Sequence, residues 1–335
     1  MPARNDDMLC ITDNTTDPYW NLAAEEFIVD NFDEPVFRLW RNAPSVIIGR
    51  NQNAAAEINR DFVRERGIAV VRRLTGGGAV FHDLGNVNFT FVDAACSGES
   101  ANDMFRRFTA PIIGALRKLG VNASLEGRND ITVDGAKISG NAMCIRHGRV
   151  LQHGTLLFSS KMADLSGALL PRPEKYAGRG VQSVRSRVTN ISEHLPAEMQ
   201  KVEDFFSYLL QEVGKSATPY SFSEGEMQRI EALAASKYRT TAWNWGLAVG
   251  MHNATRCRKF NGGLLEAAFD VVDGNIHNLQ MHGDYFFTRP TEEFCTLMEG
   301  CAYDKKAVTD LLGTVTVSDW FCGINASEIV ELLFI

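Results

Sequence analysis

The chain has 335 residues, of which 45% are hydrophobic and 22% are charged, and its formal net charge at pH 7 is −7. These proportions are ordinary for a folded globular protein and exclude a mainly disordered chain, while the length predicts about two domains. The negative charge argues against general nucleic-acid binding, and no apolar run is long enough for a transmembrane helix.

The N-terminal residues 1–7 have neither the basic start nor the apolar core of a targeting segment. Seven cysteines, an odd number without a Cys-x-x-Cys pair, argue against a disulfide framework and against a structural zinc site. We therefore expect a cytoplasmic protein. No long apolar heptad is present, which favours a monomer.

Hydrophobic periodicity and turn signals predict a mixed α and β chain. Asp17 is expected to cap the first helix, Gly67 to end the second, and Pro111 to kink or split the third. Helices are predicted over residues 19–30, 53–66, 103–119, 201–213, 225–235, 291–298, 305–312 and 326–333. Strands are predicted over 36–40, 45–48, 68–71 and 87–91, with a hairpin in 262–287 around Asp273-Gly274. The pattern of predicted elements changes near residue 248, from helices to a hairpin. This change predicts a large domain over 1–247 and a small one over 248–335.

Two arginines precede three successive glycines in the segment from Arg72 to Asn86. Consecutive backbone amides at glycine can bind an anion, and arginine suits a phosphate or a carboxylate. The segment is neither a Walker A loop nor a dinucleotide fingerprint, because the required spacings are missing. It is equally compatible with a tight turn flanked by solvent-exposed arginines.

A second segment, from Gly127 to Ala142, contains Asp134-Gly135, a dipeptide typical of two-residue hairpin turns. The resulting register pairs Val133 with Ala136, Thr132 with Lys137, Ile131 with Ile138, and Asp130 with Ser139. Asp130 and Lys137 then lie on one face as diagonal neighbours. They could form a surface ion pair worth about 0–1 kcal/mol. Alternatively, the carboxylate could hold Mg²⁺ beside a phosphate-binding lysine, as nucleotidyl transfer requires.

Several long motifs, in this order along the chain, resemble the lipoate–protein ligase A family. They are residues 17–23, 39–43, 46–53, 72–91, 127–142, 152–158 and 180–190. The resemblance spans essentially the whole chain and is closest over residues 8–195. It implies an α+β fold, with a large domain similar to biotin ligases and the catalytic core of class II aminoacyl-tRNA synthetases, followed by a small α+β domain.

The resemblance also implies a two-step reaction. Lipoate attacks the α-phosphate of ATP with Mg²⁺, which gives lipoyl-adenylate and pyrophosphate. The lipoyl group then passes to a lysine of a lipoyl-accepting domain, in 2-oxo acid dehydrogenase complexes or in the glycine-cleavage H protein. By the same resemblance, ATP or the adenylate would contact Arg73, Gly78, Ala79, Val80, Phe81 and Lys137, lipoate would contact Gly77 and Lys137, and Asp130 would hold Mg²⁺. From the residues themselves, we add Arg185 as a candidate contact of the adenylate and His153 as a candidate contact of lipoate.

Four features allow more than one interpretation. The basic segment 172–187, which includes Arg185, could be a lid over the adenylate or a solvated surface loop. His153 could line the lipoate pocket or be a hydrogen-bonded core histidine, and His82 is expected to brace the glycine loop. Cys144 lies near Lys137 in sequence, but nothing nearby indicates an activated nucleophile.

Rival functions share this fold. A transferase that uses a carrier-protein thioester would need a cysteine shortly before Asp130, and the chain has none between Cys96 and Cys144. A lipoyltransferase that accepts preformed adenylate, a biotin ligase and a non-catalytic lipoate-binding protein remain alternatives. The combination of Arg73, Asp130 and Lys137 favours a ligase over a pure binding protein.

Overall fold

The computed structural model of the protein describes residues 8–161, 167–170, 188–196, 199–246 and 252–335. Strands are β1 Leu9–Thr12, β2 Val36–Trp40, β3 Ser45–Ile48, β4 Ala69–Arg72, β5 Val80–His82, β6 Asn86–Ala94, β7 Ala123–Glu126, β8 Asp130–Val133, β9 Ala136–Arg146, β10 Arg149–Leu157, β11 Thr218–Tyr220, β12 Ala254–Phe260, β13 Gly263–Val272 and β14 Asn275–Gly283. Helices are α1 Pro18–Asn31, α2 Ala54–Glu57, α3 Arg60–Glu65, α4 Ala101–Lys118, α5 Val202–Val213, α6 Glu224–Leu233, α7 Thr241–Trp245, α8 Thr291–Met298, α9 Lys305–Leu312 and α10 Ala326–Leu333. None of the helices in these ranges is both long and apolar enough to cross a membrane.

An eight-stranded sheet in the order β11-β1-β2-β6-β10-β9-β8-β7 forms the centre of the large domain. The two faces of this sheet differ in polarity. In strand β6, polar Asn86, Asn88 and Thr90 alternate with apolar Val87 and Phe89, so the two kinds of side chain lie on opposite faces. The apolar face packs against α4 and α5 in one continuous core. The opposite face, called the polar face below, carries these polar residues together with apolar Val36, Trp40 and Val92.

The polar face is covered by α1 and by a second sheet of three strands, in the order β4-β3-β5. Helix α1 begins as predicted, since the Asp17 side chain accepts a hydrogen bond from the amide of Tyr19 at 2.9 Å and Pro18 occupies the first turn. The space left between the two layers contains the candidate site.

The small domain contains the sheet β12-β13-β14 and helices α8 to α10, which share a separate apolar core. Asp273 and Gly274 both have positive φ angles, 50° and 79°, as the predicted two-residue hairpin requires. The predicted α+β fold with a small C-terminal α+β domain is thus confirmed. The predicted boundary between residues 247 and 248 lies outside the described residues and stays a prediction.

Two helix predictions need correction. The single helix expected over 53–66 is wrong, because α2 ends at Glu57 and Asn59 caps a new helix by accepting from the amide of Phe62. Ile58, between the two helices, forms a β-bridge with Leu169, a partner remote in sequence. Helix α4 runs through Pro111 without a break, so of the two predicted effects of this proline the split is wrong and the kink stays a prediction.

Candidate active site

A cavity of about 160 Å³ lies between the polar face of the large sheet and the layer above it. Its walls come from α1, both sheets of the large domain, the glycine loop that follows β4, and the small domain. The lining residues are Leu22, Trp40, Ile47, Arg73, Gly77, Gly78, Ala79, Val80, His82, Asn88, Asn129, Lys137, Gly140, Asn141, Ala142, His153, Gly154, Thr155 and Phe286. Seven of the predicted site residues are therefore brought together here.

Arg73 holds the glycine loop from within. Its guanidinium donates to Thr75 Oγ1 at 2.9 Å and to the carbonyl oxygens of Gly76 at 2.6 Å, Gly78 at 2.9 Å and Ile47 at 3.1 Å. Burial lowers the pKa of this guanidinium to about 10, so it stays charged at neutral pH. Three of these four hydrogen bonds go to the glycine loop and the fourth goes to β3, which fixes the loop's shape against that strand.

Arg72 is also buried, and its guanidinium is surrounded by backbone carbonyls. It donates to the carbonyl oxygens of Gly49, Arg50 and Gln52 at 2.7–3.0 Å. It also donates to the carbonyls of Trp243 and Asn244 near the end of the large domain. The interpretation of this segment as a turn with solvent-exposed arginines is therefore wrong.

His153 belongs to a buried chain of hydrogen bonds behind the cavity. Its Nδ1 lies 3.0 Å from both carboxylate oxygens of Glu25, and its Nε2 lies 2.8 Å from Thr75 Oγ1. Glu25 also accepts from Thr90 Oγ1 at 2.5 Å. His153 therefore lines the cavity and is also a hydrogen-bonded buried histidine, so both interpretations of this residue apply.

The hairpin β8–β9 carries the predicted pair of charges. Asp134 and Gly135 have φ angles of 49° and 77°, and the pairs of Val133 with Ala136 and of Thr132 with Lys137 are as predicted. A bulge between Ile131 and Thr132 then shifts the register by one residue. Ile131 therefore faces Ser139 and Asp130 faces Gly140, and the two predicted pairs beyond the bulge are wrong.

Lys137 and Asp130 form an ion pair of 2.7 Å in which the side chains are 36% and 38% exposed. The Lys137 ammonium packs over Gly140, where a Cβ would lie only 3.0 Å from Nζ. A glycine at this position therefore leaves room for the lysine head at the mouth of the cavity.

Asp130 is the one residue predicted to bind a metal ion. No group of three or more His, Cys, Asp or Glu side chains able to hold a metal occurs within the described ranges. A single carboxylate fits Mg²⁺ only when substrate phosphates and water supply the other ligands, as is usual for this ion.

The other predicted residues lie as follows. Phe81 points away from the cavity into an apolar cluster with Val46 and Ile48. Arg185 and the basic segment that contains it lie outside the described residues, so their roles stay predictions. Cys144 is buried away from the cavity, and desolvation raises the pKa of its thiol to about 12, which is unsuited to a nucleophile.

His82 lies beside the cavity without contacting the glycine loop by a hydrogen bond. Asn42 Nδ2 donates to its Nδ1 at 3.0 Å, and its ring packs edge-on to Trp40 at 5.9 Å. Burial, followed by the nearby charges of His153 and Arg73, lowers the pKa of His82 to about 3. This ring is therefore neutral at physiological pH.

Sequence reasoning missed several lining residues. Asn88 and Thr155 follow from the alternation in β6 and β10, and that signal could have assigned them to the polar face. Phe286 comes from the small domain, and no local pattern connects it with the glycine loop. In the structure, the amide of Gly77 donates to the carbonyl of Tyr285 at 3.2 Å, which places Phe286 in the wall.

Comparison with known proteins identifies the family. Residues 17–214 match the lipoyl protein ligase A/B catalytic domain, and residues 251–333 match the bacterial lipoate protein ligase C-terminus. Lipoate-protein ligase LplJ of Bacillus subtilis is 38% identical over 328 residues, which cover 96% of this chain and 98% of that protein. The chain belongs to the lipoate–protein ligase family.

Three solved structures resemble this chain. LipL1 of P. falciparum in complex with lipoate has a TM-score of 0.76 and 26% identity, covering 92% of this chain and 95% of that one. A bipartite lipoate protein ligase of Thermoplasma acidophilum, determined with its E2 lipoyl domain, has a TM-score of 0.64 and 30% identity, covering 73% and 98%. A lipoate-protein ligase A bound with ATP has a TM-score of 0.61 and 29% identity, covering 72% and 99%. The predicted family and ligase function are confirmed.

Proposed function

We propose that this ligase activates lipoate with ATP in the described cavity and then transfers the lipoyl group to a lysine of a lipoyl-accepting domain. Related structures contain lipoate or ATP, and one related ligase is described with its E2 lipoyl domain, which supports each of the three substrates. In the first step, a lipoate carboxylate oxygen forms a bond to the α-phosphorus while the bond to pyrophosphate breaks. In the second, the acceptor amine forms an amide and AMP leaves.

The position of Lys137 is the observation that carries this proposal. Adenylation brings a carboxylate and phosphates together, so its main requirement is a fixed cation where negative charge accumulates. The Lys137 ammonium stands at the mouth of the cavity, held by Asp130 at 2.7 Å and packed over Gly140. From there it can neutralise the α-phosphate during activation and the acyl oxygen during transfer.

The glycine loop would bind the nucleotide through its backbone. Gly78, Ala79 and Val80 line the cavity, and Arg73 keeps the loop carbonyls turned inward to its guanidinium. We assign Arg73 to shaping this surface and adding positive potential, since its donors are occupied by the loop. Phe81 would act only through its backbone, because its side chain is in the core.

Mg²⁺ would be held by Asp130 together with phosphate oxygens of ATP, and when bound it would supply charge neutralisation for the leaving pyrophosphate. Asp130 also keeps the ammonium of Lys137 in place through their ion pair. Substitution of Asp130 should therefore affect both metal dependence and the position of Lys137.

The decisive experiment is lipoate-dependent exchange of labelled pyrophosphate into ATP, with Mg²⁺ and without an acceptor protein. Lys137→Ala is expected to reduce exchange at least 100-fold, in line with about 2.7–4 kcal/mol for loss of one group that stabilises transition-state charge. Lys306→Ala, at an exposed lysine on α9, is the matched control and should exchange normally. If the natural chain shows no exchange but transfers from supplied lipoyl-adenylate, the ATP assignment is wrong.

We further propose that the ligase is a cytoplasmic monomer. All seven cysteines are free, as expected in a reducing compartment. Sedimentation analysis of the purified chain checks the oligomeric state.

A further inference from the structure

The donors around the cavity are almost all used by the protein itself. The guanidinium of Arg73 binds the glycine loop, and His153 is bound at both nitrogens. The amide of Asn141 donates to Asn129 O at 2.9 Å and to Ser139 Oγ at 3.2 Å. Among the described lining residues, the buried side-chain nitrogens without a hydrogen-bond partner are the Nε2 of His82 and the Nδ2 of Asn88.

A chain of hydrogen bonds determines which nitrogen of His82 carries the proton. Arg38 Nη2 can only donate, and it donates to Asn21 Oδ1 at 2.5 Å. Asn21 Nδ2 therefore donates to Asn42 Oδ1 at 2.9 Å, and Asn42 Nδ2 donates to His82 Nδ1 at 3.0 Å. Because Nδ1 accepts, the neutral ring carries its proton on Nε2. The result is a buried N–H donor, on a residue that is 4% exposed, with no acceptor among the residues that the structure describes.

His82 and Lys137 stand at opposite ends of the cavity. One row of the sheet runs from Trp40 through Asn88 and Thr155 to Gly140. Three inter-strand spacings of about 4.8 Å make this row about 14 Å long. His82 packs on Trp40 at one end, and Lys137 packs over Gly140 at the other.

The charges at the two ends orient the ligand. A carboxylate that is being activated belongs beside the Lys137 ammonium, at the open end. The tail of the ligand then reaches Trp40 and His82, where the wall also includes the apolar Leu22 and Ile47. A neutral donor among apolar side chains suits a weak, uncharged acceptor and leaves a plain hydrocarbon without a bond to it.

We propose that His82 is a specificity-determining residue, whose Nε2–H donates to a sulfur of the cyclic disulfide of lipoate and so favours lipoate over the straight-chain octanoate. This inference rests on the proposed function. Sulfur is a weak acceptor, so the bond is modest. With octanoate, the buried N–H has no acceptor on the ligand, and this cost increases the difference in binding free energy between the two acids.

The kinetic test compares kcat/KM for lipoate and octanoate in pyrophosphate exchange. His82→Phe keeps a ring of similar shape and removes the N–H, and it should lower the preference for lipoate about fivefold. His147→Phe, at a ring that is 69% exposed, is the matched control and should keep the preference of the natural chain. A folded His82→Phe variant that keeps the full preference overturns the proposal.

Nitrogen-15 NMR of histidine-labelled natural protein tests the same idea without a variant. The His82 ring should carry its proton on Nε2, and lipoate should move that proton resonance more than octanoate does. A proton on Nδ1, or equal shifts with the two acids, overturns the proposal. If neither acid supports exchange, the proposed function fails, whereas the NMR result still decides the role of His82.

Discussion

Among single residues, His82 should give the ligase an acid-sensitive fold. Its pKa is lowered to about 3 mainly by burial, against about 6.5 in an unfolded chain. Between these values the unfolded chain binds the extra proton, so stability falls as the pH is lowered through 6.5 and is fully present above it. From pH 6.5 to pH 5 the loss from this group is about 2 kcal/mol, at 1.36 kcal/mol per pH unit.

Urea unfolding at pH 7 and pH 5 measures this effect. His82→Gln should lose less stability between the two pH values than the natural chain, by about 2 kcal/mol. His147→Gln, at an exposed ring, should behave like the natural chain. An unchanged pH dependence in His82→Gln would show that the ring is not held neutral by the fold.

Residue types in the site were predictable, but their partners were not. The sequence pointed to Arg73 as a ligand-binding cation, whereas the structure turns its donors to the glycine loop. The reason is that backbone carbonyls converge on Arg73 only after β3 and β4 are paired. The position of Lys137 was predictable from local sequence alone, because the two-residue turn at Asp134-Gly135 fixes its pairing with Thr132.

At the scale of elements, the hairpin β8–β9 depends on its turn. Gly135 has a φ of 77° with open space around it, so alanine there suffers only backbone strain. Gly135→Ala should destabilise the protein by about 1–2 kcal/mol, the cost of a left-handed conformation for a residue with a Cβ.

Gly225→Ala is the matched control for this substitution. Gly225 lies in α6, also with open space but without a positive φ, and alanine favours the helix. This variant should be stabilised by about 0.5 kcal/mol. Thermal unfolding should show a lower melting temperature for Gly135→Ala and a higher one for Gly225→Ala. Equal effects of the two substitutions would contradict the predicted turn conformation.

Elements with strong local signals were predicted well, and those set by tertiary contacts were not. Helices α8, α9 and α10 have the predicted bounds, and the side chains of Asp304 and Asn325 cap α9 and α10. The bulge at Ile138 of β9 and the break between α2 and α3 escape prediction. Each is set by pairing with a partner from another segment, and the periodicity within the segment does not reveal that partner.

Across the whole molecule, the small domain closes one side of the cavity. Arg128 Nη1 donates to the carbonyl of Gly262 at 2.6 Å, and Arg50 pairs with Glu292 at 3.0 Å. The aromatic ring of Phe286 packs edge-on to Phe105 of α4 at 5.7 Å. The two domains therefore share the wall of the site, although each has its own core.

Gly76 is the point at which this contact can be tested. A Cβ there would lie 2.3 Å from the carbonyl oxygen of Tyr285 and 3.2 Å from the Cα of Phe286, both backbone atoms that cannot rotate away. Gly76→Ala should therefore push the small domain off the glycine loop and remove Phe286 from the cavity wall. Because burial of a phenylalanine contributes about 1.5–3 kcal/mol, we expect kcat/KM for lipoate to fall roughly tenfold or more.

Gly78→Ala separates this effect from damage to the loop itself. Gly78 is two residues away in the same loop, has no positive φ and has no atom within 4 Å of an added Cβ. It should keep the radius of gyration of the natural chain in small-angle X-ray scattering, while Gly76→Ala should increase it. Because the two domains have separate cores, both variants should remain folded. If the two variants scatter alike, the small domain does not hold this position in solution, and Phe286 does not belong to the wall of the working site.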